Sequence, residues 1–191
     1  MASNILTIPN LLTFVRMALI PVFASLLYYQ NTGWALIVFM IAGASDGIDG
    51  FIARRFKQES ELGTIIDPIA DKLLMTTAFV ILTLPGIIVG VKHLPVPFWV
   101  TSAVIGRDVL IITVAGAIAL MSNFRGFKPS WLGKLSTTVQ VLAVTMILFA
   151  AVFGYSFYLP TVYTIVVLLA FLSGVHYIFF VARLMRDADE K

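Results

Sequence analysis

The sequence predicts an all-α protein, a polytopic membrane helical bundle with six transmembrane helices, and three observations carry that prediction. Hydrophobic residues make up 60% of the 191 positions, charged residues only 12%, and mean hydropathy is +0.98, more apolar surface than a soluble domain of this size can bury. Apolar runs of about 20 residues, the length a bilayer core demands of a helix, recur at roughly 11–29, 34–53, 68–91, 98–121, 132–153 and 159–182. The runs are continuous, whereas the strands of a membrane barrel alternate apolar and polar residues over about ten positions. No internal repeat or low-complexity segment interrupts the chain, so residues 1–191 read as a single membrane domain.

The basic residues set the orientation. Arg54, Arg55 and Lys57 follow the second span, Arg125, Lys128 and Lys134 the fourth, and Arg183, Arg186 and Lys191 the sixth, while the opposite loops hold Lys92 alone. The positive-inside rule then puts both termini and the 54–66 loop in the cytoplasm, in a cell (inner) membrane. The net charge of +3 and pI near 9.3 fit attraction to anionic lipid, and no nucleic-acid partner is expected. The chain has no cysteine, which excludes disulfides and thiolate metal sites.

Taken in order, the first span opens at Pro9 and Asn10, where a proline suits a first helical turn. It has neither a basic region before it nor an A-x-A-like cleavage site after it, and is expected to be a retained helix. Arg16, about two turns in, has two readings: a side chain snorkelling to the interface, or one facing a polar cavity. The second span begins near Trp34 and carries Asp46, Asp49, Gly50 and Arg54 toward its cytoplasmic end. Asp46, Gly50 and Arg54 lie one turn apart on one face. The glycine leaves room for a ligand at the backbone, and the arginine can grip a phosphate with a forked pair of hydrogen bonds.

The third span is expected to open on Asp67, Pro68, Asp71 and Lys72, with two carboxylates near a helix start. Pro85, Gly86 and Gly90 weaken its far end, and His93, Pro95 and Pro97 mark the outer turn, where His93 reads as solvated. The fourth span places Arg107 and Asp108 near the bilayer midplane, where they must face protein or water, as an ion-pair network or as a cavity lining. Being adjacent, they point about 100° apart and need not pair with each other. Residues 122–134 form a basic, aromatic loop, followed by Ser136, Thr137, Thr138 and Gln140, which suit interhelical hydrogen bonds. His176 in the sixth span reads as a hydrogen-bonded bundle residue, and Arg183 onward as a solvated tail.

The chemistry concentrates in residues 46–71. Asp46 and Asp49 are three apart and Asp67 and Asp71 four apart, so each pair shares a helix face. Four carboxylates at a membrane boundary suit two Mg²⁺ or Mn²⁺ ions, since hard cations prefer oxygen ligands. Two such ions serve phosphoryl transfer, with a nearby carboxylate taking the nucleophile's proton. A plain structural alternative pairs the aspartates with Arg54, Arg55 and Lys72, but it leaves the repeated spacing and the glycine unexplained. A divalent-cation transporter is an alternative of another class. It calls for acidic residues at several depths, and the outer loops have neither Asp nor Glu. A membrane prenyltransferase would need more helices and a longer chain.

The window resembles the signature of the CDP-alcohol phosphatidyltransferase family, D-x2-D-G-x2-A-R-x8-G-x3-D-x3-D, at Asp46, Asp49, Gly50, Ala53, Arg54, Gly63, Asp67 and Asp71, with no departure. The resemblance implies a homodimer of six-helix protomers, each with a cytoplasm-facing cavity. It makes Asp46, Asp49, Asp67 and Asp71 the metal ligands and Asp71 also the general base, with Gly50, Arg54 and Ser60 contacting the CDP part of CDP-diacylglycerol. An acceptor hydroxyl then attacks phosphorus and CMP leaves. The stretches 9–16 (PNLLTFVR) and 133–140 (GKLSTTVQ) resemble the branch holding phosphatidylglycerophosphate synthase and CMP-forming cardiolipin synthase. That implies glycerol 3-phosphate as the leading acceptor and phosphatidylglycerol as the alternative, with Arg107, Arg125 and Lys134 as candidate acceptor contacts.

Overall fold

The structure, a computed structural model, describes the backbone over residues 8–56, 61–121 and 131–189, and within it the side chains of 11, 13–45, 66–117 and 131–181. It is all-helical among those residues: α1 (Ile8–Tyr28), α2 (Thr32–Phe56), α3 (Glu61–Thr83), α4 (Phe98–Met121), α5 (Trp131–Phe153) and α6 (Leu159–Asp189). Three helical stretches among the described residues are long and apolar enough to cross a membrane, Phe98–Ala117, Trp131–Phe153 and Leu159–Val181. At 1.5 Å per residue the 23 residues of α5 extend about 35 Å, enough for a hydrocarbon core of about 30 Å. Shorter apolar stretches occupy Thr13–Tyr28 and Thr32–Ser45.

Two helices differ in extent from the hydropathy reading. The third apolar run was expected at 68–91, but α3 runs from Glu61 to Thr83. Pro85 stops the helix, and Gly86 and Gly90 take positive φ in the irregular segment beyond it, so Ile87 and Ile88 are buried from a loop. At the other end Pro68 is two turns inside α3 and not in its first turn. It has no N–H for the carbonyl of Thr64, so the helix lacks one backbone bond just where it carries Asp67 and Asp71. The sixth helix also outlasts its apolar run, its backbone staying helical to Asp189 where a solvated tail was expected.

The chain divides into two compact units. The first comprises Met1–Val96 and Val144–Ser156, with α1 packed on both α2 and α3. Phe23 and Leu27 of α1, Ala35, Phe39 and Ala42 of α2, and Ala70, Leu74, Ala78 and Phe79 of α3 are all buried. The Phe23 and Phe39 rings meet at 5.6 Å. Alanines at these positions let helix backbones approach, which matters in lipid, where close packing replaces the hydrophobic drive. The α1–α2 turn is short because Gln30 adopts φ 58°, while Asn31 N–H bonds Leu26 O at 2.8 Å and Gln30 N–H bonds Leu27 O at 3.0 Å. Those two bonds satisfy the last carbonyls of α1 in the Schellman pattern. Tyr28, Tyr29 and Trp34 flank this turn exposed, as aromatic residues do at a membrane interface.

The second unit comprises Pro97–Ala143 and Phe157–Lys191, with α4 packed along α6. Tyr177 and Val181 of α6 are buried beside Ile111, Val114 and Ala115 of α4. Arg107 and Asp108 do pair, Nη1 to Oδ1 at 2.6 Å, because the long guanidinium side chain folds back over the angle between neighbouring positions. Its Nε and Nη2 donate to Ser173 Oγ of α6 at 3.1 and 2.9 Å, and Nη2 also reaches Gly133 O of α5 at 3.3 Å. Gly174 lies alongside, where even a Cβ would make only an ordinary contact, 3.9 Å from Arg107 Cγ.

Thr137 and Thr138 turn their hydroxyls to carbonyls one turn back on α5 and not to another helix. His176 departs from the bundle reading: it is exposed on α6, nearly parallel to the Phe180 ring with centroids 6.4 Å apart.

Candidate active site

The first unit brings the acidic motif onto two helices that share α1 as a neighbour. The last turns of α2 carry Asp46, Asp49, Gly50 and Arg54 on helical backbone, and their side chains lie outside the described residues. Ser60 and Arg125 also lie outside them. Asp67 and Asp71 are described, one turn apart on α3 and both half-buried, which leaves their carboxylates within reach of a ligand. Lys72 is half-buried beside them.

Across from Asp67 stands Thr13 of α1, whose hydroxyl donates to Asp67 Oδ1. Thr13 is only 1% exposed, as is Arg16 three residues on, on the same face of α1. Burial decides between the two sequence readings of Arg16: it faces the protein and does not snorkel to an interface. Sequence reasoning assigned Thr13 no role in the site. The signal was present, since the three-residue spacing of Thr13 and Arg16 lines polar groups along one side of an otherwise apolar helix.

The donor set suits a hard cation. Carboxylate oxygens one turn apart, partly open and supported by a hydroxyl, are the ligands Mg²⁺ and Mn²⁺ take. Among the described residues there is no cluster of three or more His, Cys, Asp or Glu; the side chains of Asp46 and Asp49 lie outside them.

The candidate acceptor residues belong to the second unit. Arg107 is 8% exposed and engaged by Asp108, Ser173 and Gly133, whereas Lys134 stands exposed in the first turn of α5. Beside Arg107, a cavity of about 440 Å³ runs between α4 and α6, lined by Ser102, Gly106, Leu110, Ala170, Phe171 and Gly174 among others. In that unit Gln140 is 1% exposed, its Nε2 lies 3.5 Å from Ser136 Oγ, and its Oε1 has no hydrogen-bond partner among the described residues.

Comparison with known proteins points the same way as the motif. The chain is 34% identical over 148 residues to the CDP-diacylglycerol--glycerol-3-phosphate 3-phosphatidyltransferase of Escherichia coli K12, covering 74% of this chain and 76% of that one. It is 33% identical over 174 residues to a cardiolipin synthase (CMP-forming) of Streptomyces coelicolor, covering 81% and 75%. It is 35% identical over 161 residues to a Schizosaccharomyces pombe protein that joins a cardiolipin synthase (CMP-forming) to a mitochondrial hydrolase, covering 76% of this chain but only 26% of that fusion. A family profile for CDP-alcohol phosphatidyltransferases matches residues 6–175, from the start of α1 into α6. With the eight signature positions placed on α2 and α3, that match makes this membrane protein a member of the CDP-alcohol phosphatidyltransferase family.

Proposed function

We propose that the protein transfers the phosphatidyl group of CDP-diacylglycerol to glycerol 3-phosphate, releasing CMP and forming phosphatidylglycerophosphate, an early step of phospholipid synthesis. The observation that carries this reading is the intact acidic signature, with Asp67 and Asp71 one turn apart and partly open on α3, in a chain of this family. Asp46, Asp49, Asp67 and Asp71 would hold two Mg²⁺ or Mn²⁺ ions, which when bound screen the diphosphate and stabilise the oxygens that gain charge. Arg54 offers the CDP phosphates a forked cation, Gly50 keeps the α2 backbone open to it, and Ser60 adds a hydroxyl. Asp71 accepts the proton of the acceptor hydroxyl. The acceptor oxygen bonds the phosphorus bearing diacylglycerol, the bond from that phosphorus to the bridging oxygen breaks, and CMP departs with the electron pair.

The site would sit at the cytoplasmic ends of α2 and α3, where CMP and a soluble acceptor exchange with water while the acyl chains stay in the bilayer. The one-sided placement of Arg54, Arg55, Lys57, Arg183 and Arg186 supports cytoplasmic termini in a cell (inner) membrane. The working form is a homodimer, as the family resemblance implies.

A second reading, CMP-forming cardiolipin synthesis with phosphatidylglycerol as acceptor, has two supports. A relative with that name matches at 33% identity, beside 34% for a glycerophosphate enzyme. The apolar α4–α6 cavity beside Arg107 has the character a lipid acceptor's chain needs. Purified protein supplied with CDP-diacylglycerol, Mn²⁺ and either acceptor separates the two. CMP release with glycerol 3-phosphate and not with phosphatidylglycerol is expected, and the reverse result would establish the second reading.

A further inference from the structure

Several hydroxyls inside these helices bond to their own backbone. Ser25, Thr83, Thr137, Thr138 and Thr164 each donate to the carbonyl one turn back, the default for a serine or threonine on a helix. The Thr13 hydroxyl also donates across to Asp67 on α3, 54 positions away in sequence. At 1% exposure it sits where bulk water cannot substitute for the hydroxyl, and the equally buried Arg16 extends the polar face one turn further.

A carboxylate on a helix can rotate about its last bond, and rotation moves both oxygens. Holding Oδ1 fixes the plane of the group and leaves the other oxygen in a defined place. Groups that orient a metal ligand in this way change metal affinity by about 10–100-fold when removed. We propose that Thr13 is a positioning residue for the cation site: its hydroxyl holds the Asp67 carboxylate in the orientation that ligates. The inference rests on the proposed reading of Asp67 as a metal ligand. It adds α1 to a site that the acidic signature confines to α2 and α3.

The test measures Mn²⁺ binding to the purified full-length protein in detergent, from the loss of the free-ion EPR signal, with no substrate present. Thr13→Val keeps the shape and removes the hydroxyl, and Thr13→Ser keeps the hydroxyl. Thr13→Val should weaken Mn²⁺ binding by about tenfold or more, while Thr13→Ser binds like the unaltered protein. Thermal unfolding without metal shows whether the valine variant is folded; if it is not, Thr13→Ala takes its place and must weaken binding likewise. A folded hydroxyl-free variant that binds Mn²⁺ as the unaltered protein does overturns the role of Thr13 alone. Unaltered protein that binds no Mn²⁺ overturns both this role and the reading of Asp67 as a ligand.

Discussion

Arg107 shows how a charge is accommodated at mid-span. Its donors reach Asp108, Ser173 and Gly133, so one side chain ties α4 to α6 and to the start of α5. A buried ion pair of this kind stabilises little compared with apolar residues of the same size, but losing one partner strands the other, at a cost of about 3–5 kcal/mol. Arg107→Met should therefore lower the thermal unfolding temperature in detergent substantially, and the Arg107→Met, Asp108→Leu double variant should recover much of the loss. A double variant less stable than the single one would show that Asp108 has a stabilising role independent of Arg107. The residue scale is also where the sequence was least legible. That Arg107 pairs with its own neighbour depends on a rotamer, and that Thr13 aims at Asp67 depends on how α1 meets α3. Neither periodicity nor composition contains that information, whereas the spacing of Asp67 and Asp71 needs only helix geometry.

At the scale of elements, hydropathy located every helix but misplaced both ends of α3 and the end of α6. The start of α4 and the end of α5 fall where the apolar runs begin and end, since Pro97 and Gly154 mark the same boundaries as the hydrophobicity does. For α3 the two signals disagree. Residues 84–91 are apolar enough to prolong a span, yet Pro85, Gly86 and Gly90 override them, and the stretch from Glu61 to Ile66 is helical although it precedes the long apolar run. The shift matters for the site. With Pro68 inside the helix, the acidic pair sits on a segment missing one backbone hydrogen bond, and the two carboxylates lie further from the positive end of the helix than a start at Asp67 would put them. Support for their charge must come from neighbouring groups, of which the Thr13 hydroxyl is one.

For the whole molecule, the sequence made the membrane class and the family legible because both rest on sums: total hydropathy, and eight residues at fixed spacing. Orientation follows from charge asymmetry and is testable in a chain with no native cysteine. Single cysteines introduced as Gln58→Cys and His93→Cys should react with an impermeant maleimide from opposite sides of the membrane, Gln58→Cys only from the cytoplasm. Labelling of both from one side would overturn the proposed topology. The proposed function is transfer of a phosphatidyl group from a CDP-linked donor at the carboxylates of α2 and α3. Its most direct test is metal-dependent CMP release from CDP-diacylglycerol by the purified protein and by Asp71→Asn, with glycerol 3-phosphate and phosphatidylglycerol each supplied as acceptor. CMP release coupled one for one to new phospholipid is expected, abolished in a folded Asp71→Asn variant; no CMP release with either acceptor, or full activity in Asp71→Asn, would contradict phosphatidyl transfer by these carboxylates.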